Sequence, residues 1–452
     1  MVKQSSEALY TERFPKSRAL FDQACGILPR GVTHDGWFMS PFPIYFNRAK
    51  GSHKWDVDGY EYVDYFGGHG ALILGHAHPS LVEAINRQSI IGTHFGGCHE
   101  LQLEWADLIK ELVPSAERVE FTNSGTEANM LAMRLARAFT GRDKIVRFRG
   151  HFAGFADHVM VGFAPPWNVP TSSGLLSFDI ENTVVIPIND EDALEKALSK
   201  RDVAMVMVEA AGAFSGVTGI SSSFYQTMRD ITKEYDTLLH FDEIVTGFRF
   251  SPGGVQAEKR IKPDLTSLGK ILTGGMPGAG AIVGRTDVME MLLFKDDTWN
   301  RYKRVSHTGT FNGNPLCASA GIATLKILSS GDPQKRASDM AQMLREQLQD
   351  AIVDRGISGC VYGDSSTFHI YLSDCELRDE CDRSVCLNED KERSLPLGRL
   401  LAINTTLNGV HFTSRGYDGF VSAVHTESDI DKTIHAFSKS FDTLIKEGIL
   451  TK

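Results

Sequence analysis

The chain has 452 residues, 42% of them hydrophobic and 23% charged, with a formal net charge of −10. This balance suits a globular protein and argues against a nucleic-acid binder, which needs a basic face to meet phosphates. No apolar run approaches the roughly 20 residues of a membrane-spanning helix, Met1–Pro15 lacks the apolar segment of a secretory leader, and seven cysteines make no disulfide framework in so long a chain, so a reducing, cytoplasmic setting is expected.

Residues 1–65 read as a helix, a Pro/Gly-rich stretch at Leu28-Pro29-Arg30-Gly31, and a hairpin. The hairpin signal is Asp58-Gly59 set between the apolar positions of Trp55 to Tyr62. From 66 to 312 strand-like runs alternate with helix-like ones. Strands are predicted at 119–122, 144–148, 184–188, 203–208, 238–242 and 279–283, and helices at 127–140 and 192–200. This alternation predicts an α/β fold with a large, doubly wound, mostly parallel sheet. Residues 313–452 change character, with helices at 315–329 and 336–355, short strands, and a last helix from Ser428. They read as a smaller α+β domain, to which the N-terminal segment also contributes. The charged stretch 375–393 is expected to be a surface loop.

The chemistry-bearing signals fall at strand ends. Leu238-Leu239-His240-Phe241-Asp242-Glu243 is an apolar strand ending in a carboxylate. Ligands of open α/β sheets gather beyond the carboxyl ends of strands. Asp242 therefore reads either as a helix cap or as a ligand group able to keep a pyridinium protonated through a charge-assisted hydrogen bond. Glu209, ending Met205-Val206-Met207-Val208, lies at the same edge with the same two readings. Asp264-Leu265-Thr266-Ser267-Leu268-Gly269-Lys270 is a second short strand, ending in a lone lysine before a Gly-rich loop. Most lysines are simply solvated, but one buried beside a cationic cofactor would have a lowered pKa and serve as nucleophile and proton carrier. Asp242 with Lys270 points to pyridoxal 5′-phosphate, whose ring nitrogen meets an aspartate and whose aldehyde a lysine holds as a Schiff base.

Thr122-Asn123-Ser124-Gly125-Thr126-Glu127 reads as a strand turning into a helix. Hydroxyls from Ser124 and Thr126, close backbone approach at Gly125, and helix-opening amides would together cradle a phosphate, or the turn is a plain N-cap. Phe152 follows the strand 144–148 and is either a core aromatic or one placed to stack on a planar ring. Gly309-Thr310-Phe311-Asn312-Gly313-Asn314-Pro315 is a second anion-binding turn or an ordinary helix start. His69, His76 and His78, and His94, Cys98 and His99, lack zinc-ligand spacing, as do Cys375, Cys381 and Cys386 in their polar stretch. No metal is expected.

Jointly, and in order from Trp55 to His425, these motifs resemble the class III, fold-type I PLP-dependent aminotransferases. The carrying segments are Asn123 to Ala128, Phe241 to Arg249, Asp264 to Lys270 and Gly309 to Pro315. Within that family the chain is similar to the branch of glutamate-1-semialdehyde 2,1-aminomutase, D-phenylglycine aminotransferase and β-phenylalanine aminotransferase. Gly67-Gly68-His69-Gly70-Ala71 leans toward the D-phenylglycine type.

The resemblance implies that Lys270 binds the cofactor and shuttles the proton, that Asp242 pairs with the ring nitrogen, and that Phe152 and Val245 flank the ring. Ser124, Gly125 and Thr126 would hold the phosphate. Thr310 would reach the phosphate of a neighbouring subunit, implying a homodimer with shared active sites.

The chain departs from the pattern in two places. Ala210 stands where Pro usually follows Glu209. Trp37 is the nearest match to the arginine with which the mutase grips a substrate carboxylate. Ser414-Arg415-Gly416-Tyr417 resembles a carboxylate-binding loop, so Arg415 is a candidate for that role, with Trp37 and Tyr417 as further substrate-binding candidates. An arginine replaced by an aromatic predicts a larger, more apolar substrate. The implied activity is transfer of an amino group from an amine or amino acid to a keto acid or aldehyde. Intramolecular aminomutase and racemase activities are the enzymatic alternatives. A regulator without turnover is disfavoured by the acidic charge and the absence of a helix-turn-helix extension.

Overall fold

The structure, a computed structural model, describes residues 5–374, 386 and 394–450. The charged stretch 375–393 lies outside the described residues except for Cys386. The chain divides into a unit of residues 79–334 with 385–389, and a unit of residues 1–78 with 335–384 and 390–452.

The second unit begins with the helices Ser6–Arg13 and Pro15–Cys25, followed by β1 (Phe46–Lys50), β2 (His53–Asp56) and β3 (Glu61–Asp64). The predicted hairpin is β2–β3, paired antiparallel with Trp55 opposite Glu61. Its turn is held by Asp56, whose Oδ1 accepts from the N–H groups of Gly59 and Tyr60 at 2.7 and 2.8 Å.

The large unit carries β4 (Arg118–Thr122), β5 (Lys144–Phe148), β6 (Thr183–Ile186), β7 (Val203–Glu209), β8 (Leu238–Glu243), β9 (Leu265–Leu268) and β10 (Gly280–Gly284). They form one sheet in the order β4-β10-β9-β8-β7-β5-β6. The β5–β6, β5–β7, β7–β8 and β8–β9 pairs are parallel, whereas β10 runs antiparallel to both β9 and β4. The mostly parallel sheet expected from the alternation is therefore present.

Both faces of the sheet are covered, so its strands are apolar on both sides. Val146, Phe148, Val206, Val208, Leu239 and Phe241 pack on one face. Ile145, Met205, Met207 and Leu238 pack on the other, against Leu131, Ala132, Leu135 and Ala136 of the helix Gly125–Thr140. The period-two alternation of a strand assigns every other side chain to the same face.

The remaining strands are β11 (Cys360–Tyr362), β12 (Thr367–Tyr371), β13 (Val410–His411) and β14 (Asp418–Phe420). β13 joins β1-β2-β3 in a four-stranded sheet, and β11-β12-β14 form another. Helices Asp332–Val353 and Glu427–Lys446 supply core side chains including Leu344, Leu348, Phe437 and Phe441. Among the described residues, no helix is long and apolar enough to cross a membrane, and no three His, Cys, Asp or Glu side chains are grouped to hold a metal.

Candidate active site

β4, β5, β7, β8 and β9 all end at the same edge of the large sheet, and their following loops converge there. Register places Glu209 opposite Asp242, and Asp242 opposite Ser267. Close approach of backbone explains the glycines. A Cβ on Gly125 would lie 2.7 Å from Ile244 Cδ1, just after Asp242, and one on Gly269, just before Lys270, would lie 3.2 Å from the same atom. A Cβ on Gly154 would come within 2.4 Å of Thr126 Oγ1. The Ser124, Phe152, Asp242 and Lys270 segments are thus packed around one point.

Asp242 is buried. Its Oδ2 accepts from Asn129 Nδ2 at 2.7 Å and its Oδ1 from the Ile244 N–H at 3.0 Å. Burial pushes its pKa up, while those two donors and the charges of Lys270 and Arg147 pull it down. The adjacent Glu243 points to the opposite face and is fully engaged. It accepts from Thr246 Oγ1 and from the N–H groups of Val255 and Gln256 at 2.9–3.0 Å. Glu209 is also buried, and its Oε2 accepts from the Phe152 N–H at 3.1 Å.

Lys270 is partly buried and sits in the left-handed region at φ +47°, which costs an L-residue on the order of 1–2 kcal/mol. Such strain persists where surrounding structure imposes it. Burial lowers its pKa; Asp242 and Glu209 oppose the effect and Arg249 adds to it. A lowered pKa favours the neutral, nucleophilic amine.

Ser124 caps the 16-residue helix Gly125–Thr140. Its Oγ accepts from the Glu127 N–H at 3.2 Å, and as a hydroxyl it also carries a hydrogen that a ligand oxygen could accept. Glu127 reaches back to the Asn123 N–H at 2.8 Å. Phe152 is exposed, with its ring edge-on to Phe163 at 5.4 Å. Val245 is partly buried and Thr310 is exposed.

The donor set fits a phosphorylated pyridine aldehyde. It offers an amine for the aldehyde, a buried carboxylate for a protonated ring nitrogen, an exposed aromatic for the ring, and a helix N-terminus with two hydroxyls for the phosphate. His151 adds a buried polar atom without a hydrogen-bond partner among the described residues. Its Nδ1 accepts from the Glu209 N–H at 2.9 Å, leaving the proton on the unpartnered Nε2. Burial, with help from Arg147, lowers its pKa to about 3, so the ring is neutral.

Sequence reasoning did not single out Asn129, Arg147 or His151 as functional. A charge inside the apolar strand Ile145-Val146-Arg147-Phe148 was the available signal for Arg147. Asn129 on the buried stripe of its helix was another.

The other candidates lie in the smaller unit. Trp37 is 47% exposed, and its Nε1 donates to His69 Nε2 at 2.8 Å. Ser414 Oγ donates to the Gly36 carbonyl at 3.0 Å, which brings the Arg415 loop against the Trp37 turn. Arg415 is partly exposed, with Nη2 3.7 Å from Asp418. Tyr417 is buried and its hydroxyl donates to the Ser394 carbonyl at 2.6 Å.

A mostly parallel sheet with a lysine and an aspartate at the ends of neighbouring strands defines a PLP-dependent enzyme of fold type I. The model of the class-III aminotransferase family matches residues 38–358. The chain belongs to that family, and pyridoxal 5′-phosphate is its cofactor.

Among its relatives, a glutamate-1-semialdehyde 2,1-aminomutase of Methanopyrus kandleri is 37% identical over 96% of this chain and 99% of its own length. One of Methanothermobacter thermautotrophicus is 38% identical over 93% and 97%. Among solved structures, an omega-transaminase from Sphaerobacter thermophilus superposes with a TM-score of 0.85 at 31% identity, covering 94% of this chain and 97% of that one. A β-phenylalanine aminotransferase from Variovorax paradoxus gives 0.85 at 29% identity, covering 99% and 98%.

Proposed function

We propose that this enzyme is a transaminase acting on an amine or amino acid with an apolar or aromatic body, with a keto acid or aldehyde as acceptor. When bound, the cofactor supplies an aldehyde that condenses with amines and a protonated ring that draws electrons from the adjoining carbon. Lys270 carries the proton to and from the substrate carbon. Asp242 keeps the ring nitrogen protonated, and Asn129 orients its carboxylate. Ser124, Gly125 and Thr126 bind phosphate, Phe152 and Val245 flank the ring, and Glu209 borders it. The enzyme works as a homodimer in which Thr310 serves the neighbouring subunit's phosphate. Trp37 and Arg415 recognise substrate, with Tyr417 supporting the Arg415 loop.

The observation that carries the transaminase reading is Trp37, a half-exposed indole pinned to His69. It is the nearest match in this chain to the carboxylate-gripping arginine of the mutase pattern, for which the chain has no counterpart. The second reading, intramolecular amino transfer, is favoured by the names of relatives 36–38% identical to this chain. The test mixes the cofactor-loaded enzyme with a panel of amines and follows loss of the cofactor's visible band, then measures turnover with and without a keto acid. Bleaching by aromatic amines, with turnover dependent on the acceptor, is expected. Acceptor-independent conversion of glutamate semialdehyde, with no response to the panel, would establish the mutase instead.

A further inference from the structure

Among the buried charges that the residues assigned to the reaction do not account for is Arg147. Arg147 is 1% exposed in the middle of β5. Register aligns it with Met207 on β7 and, through Met207, with His240 on β8. By alternation, Arg147, Glu209, His240 and Asp242 share the face covered by the helix Gly125–Thr140. The guanidinium donates to three main-chain carbonyls: Nη1 to Val159 at 2.6 Å and Val161 at 2.7 Å, and Nη2 to His151 at 2.7 Å. His151 in turn accepts the Glu209 N–H. The cation is therefore anchored on the sheet face that carries Glu209 and Asp242, two residues before them in register, with its position set by the main-chain carbonyls it binds.

We propose that Arg147 is a positioning residue for the reaction, its fixed buried charge keeping Asp242 a carboxylate. The groups facing Asp242 leave this task to few others. Asn129 and the Ile244 N–H donate but are neutral. Glu209 is acidic and works the other way. His240, bonded to Ser267 Oγ at 2.8 Å, is held neutral by burial, its pKa lowered to about 3, and His151 is neutral as well. Lys270 is the reacting amine, so its charge changes as the reaction proceeds. Arg147 is the permanent cation. Its own pKa is lowered by burial, with Asp242 and Glu209 raising it, and settles at about 10. It therefore stays charged at neutral pH.

Two strand spacings separate β5 from β8, and two residues along the strand separate the position level with Arg147 from Asp242, about 12 Å in all. A unit charge at that distance, with an effective dielectric of about 20, moves a proton equilibrium by about one pH unit.

This inference rests on Asp242 serving the ring nitrogen, which Asp242→Asn tests separately. If Asp242→Asn leaves kcat unchanged, that reading fails. The behaviour of Arg147 variants bears on the present inference alone. In the cofactor-loaded Arg147→Met enzyme, the acidic limb of the pH–kcat profile should rise by about one unit, and Arg147→Lys should restore it. Infrared spectra of the cofactor-free proteins give a second readout. The protonated-carboxyl band assigned by its disappearance in Asp242→Asn should be absent from wild type at neutral pH and stronger in Arg147→Met. An unmoved acidic limb in Arg147→Met, or a wild-type Asp242 band already present at neutral pH, overturns the proposal. If Arg147→Met does not fold, Arg147→Gln, which keeps donors for the carbonyls, replaces it, and the wild-type spectrum decides independently of either.

Discussion

Asn129→Ala isolates the support of Asp242 from the carboxylate itself. Asn129 is buried and its amide makes two bonds, to Asp242 Oδ2 at 2.7 Å and to the Ala153 carbonyl at 3.0 Å. The charge-assisted bond is worth about 2 kcal/mol and the neutral one about 1 kcal/mol. Alanine is the better helix former by about 0.5 kcal/mol, which leaves a net loss of about 2.5 kcal/mol. At about 2 °C per kcal/mol for a unit of this size, the cofactor-free protein should melt about 5 °C lower. If the bond to Asp242 is felt fully at the transition state, about 2 kcal/mol corresponds to a loss in kcat of about 30-fold. The pH profile should move as well. Asn129 is one of the groups that lower the Asp242 pKa against its burial, so removing it shifts the acidic limb upward. The assay is steady-state kinetics of the cofactor-loaded variant across pH, alongside thermal melting. A folded, cofactor-loaded Asn129→Ala with kcat within twofold of wild type and an unmoved acidic limb would refute the reasoning.

Three further outcomes are expected. Gly125→Ala places a Cβ 2.7–2.9 Å from Ile244 side-chain atoms; it should displace the turn that donates to Asp242 and weaken cofactor binding about tenfold, or about 1.4 kcal/mol, as read by titrating cofactor-free protein with pyridoxal phosphate. Trp37→Ala should raise KM for aromatic substrates about tenfold while changing kcat little, and an unchanged KM would remove Trp37 from substrate recognition. Asp64, buried with Lys54 Nζ at 2.7 Å and His76 Nε2 at 2.7 Å, also accepts from the Phe66 N–H at 3.0 Å; Asp64→Ala leaves Lys54 buried and unpaired and should cost about 3–5 kcal/mol in denaturant unfolding.

The sign of the Asp64 contribution with pH follows from its environment. Burial alone would raise its pKa, but Lys54, His76 and His411 hold it far below the usual carboxylate range. Its stabilisation is complete above the unfolded value of about 3.9 and is lost as pH falls below that value toward the folded one. The acid arm of wild-type unfolding should therefore flatten in Asp64→Ala.

Much of the fold was legible because its signals are local. Apolar runs of four to seven residues bounded by turn residues predicted β4, β5, β7 and β8 to within a residue or two at each end, since strand burial on both faces leaves a continuous apolar run. Lys270 and Asp242 stood out for the same reason, as charged residues at the ends of otherwise apolar segments.

The sequence alone determined a layered α/β chain with a lysine and carboxylates at strand ends, because period and punctuation are properties of neighbouring residues. Only the tertiary structure shows what surrounds each carboxylate. Asp242 and Glu243 are adjacent and chemically alike, but alternation sends them to opposite faces. One meets Asn129 from a helix 113 residues earlier, and the other is consumed by Thr246, Val255 and Gln256. The same holds for Arg147 and His151. Their surroundings depend on strand order, which brings β5 beside β7 and β7 beside β8, and no local pattern encodes which strands become neighbours. A charge acts through space, so its function is set by what folding brings near it.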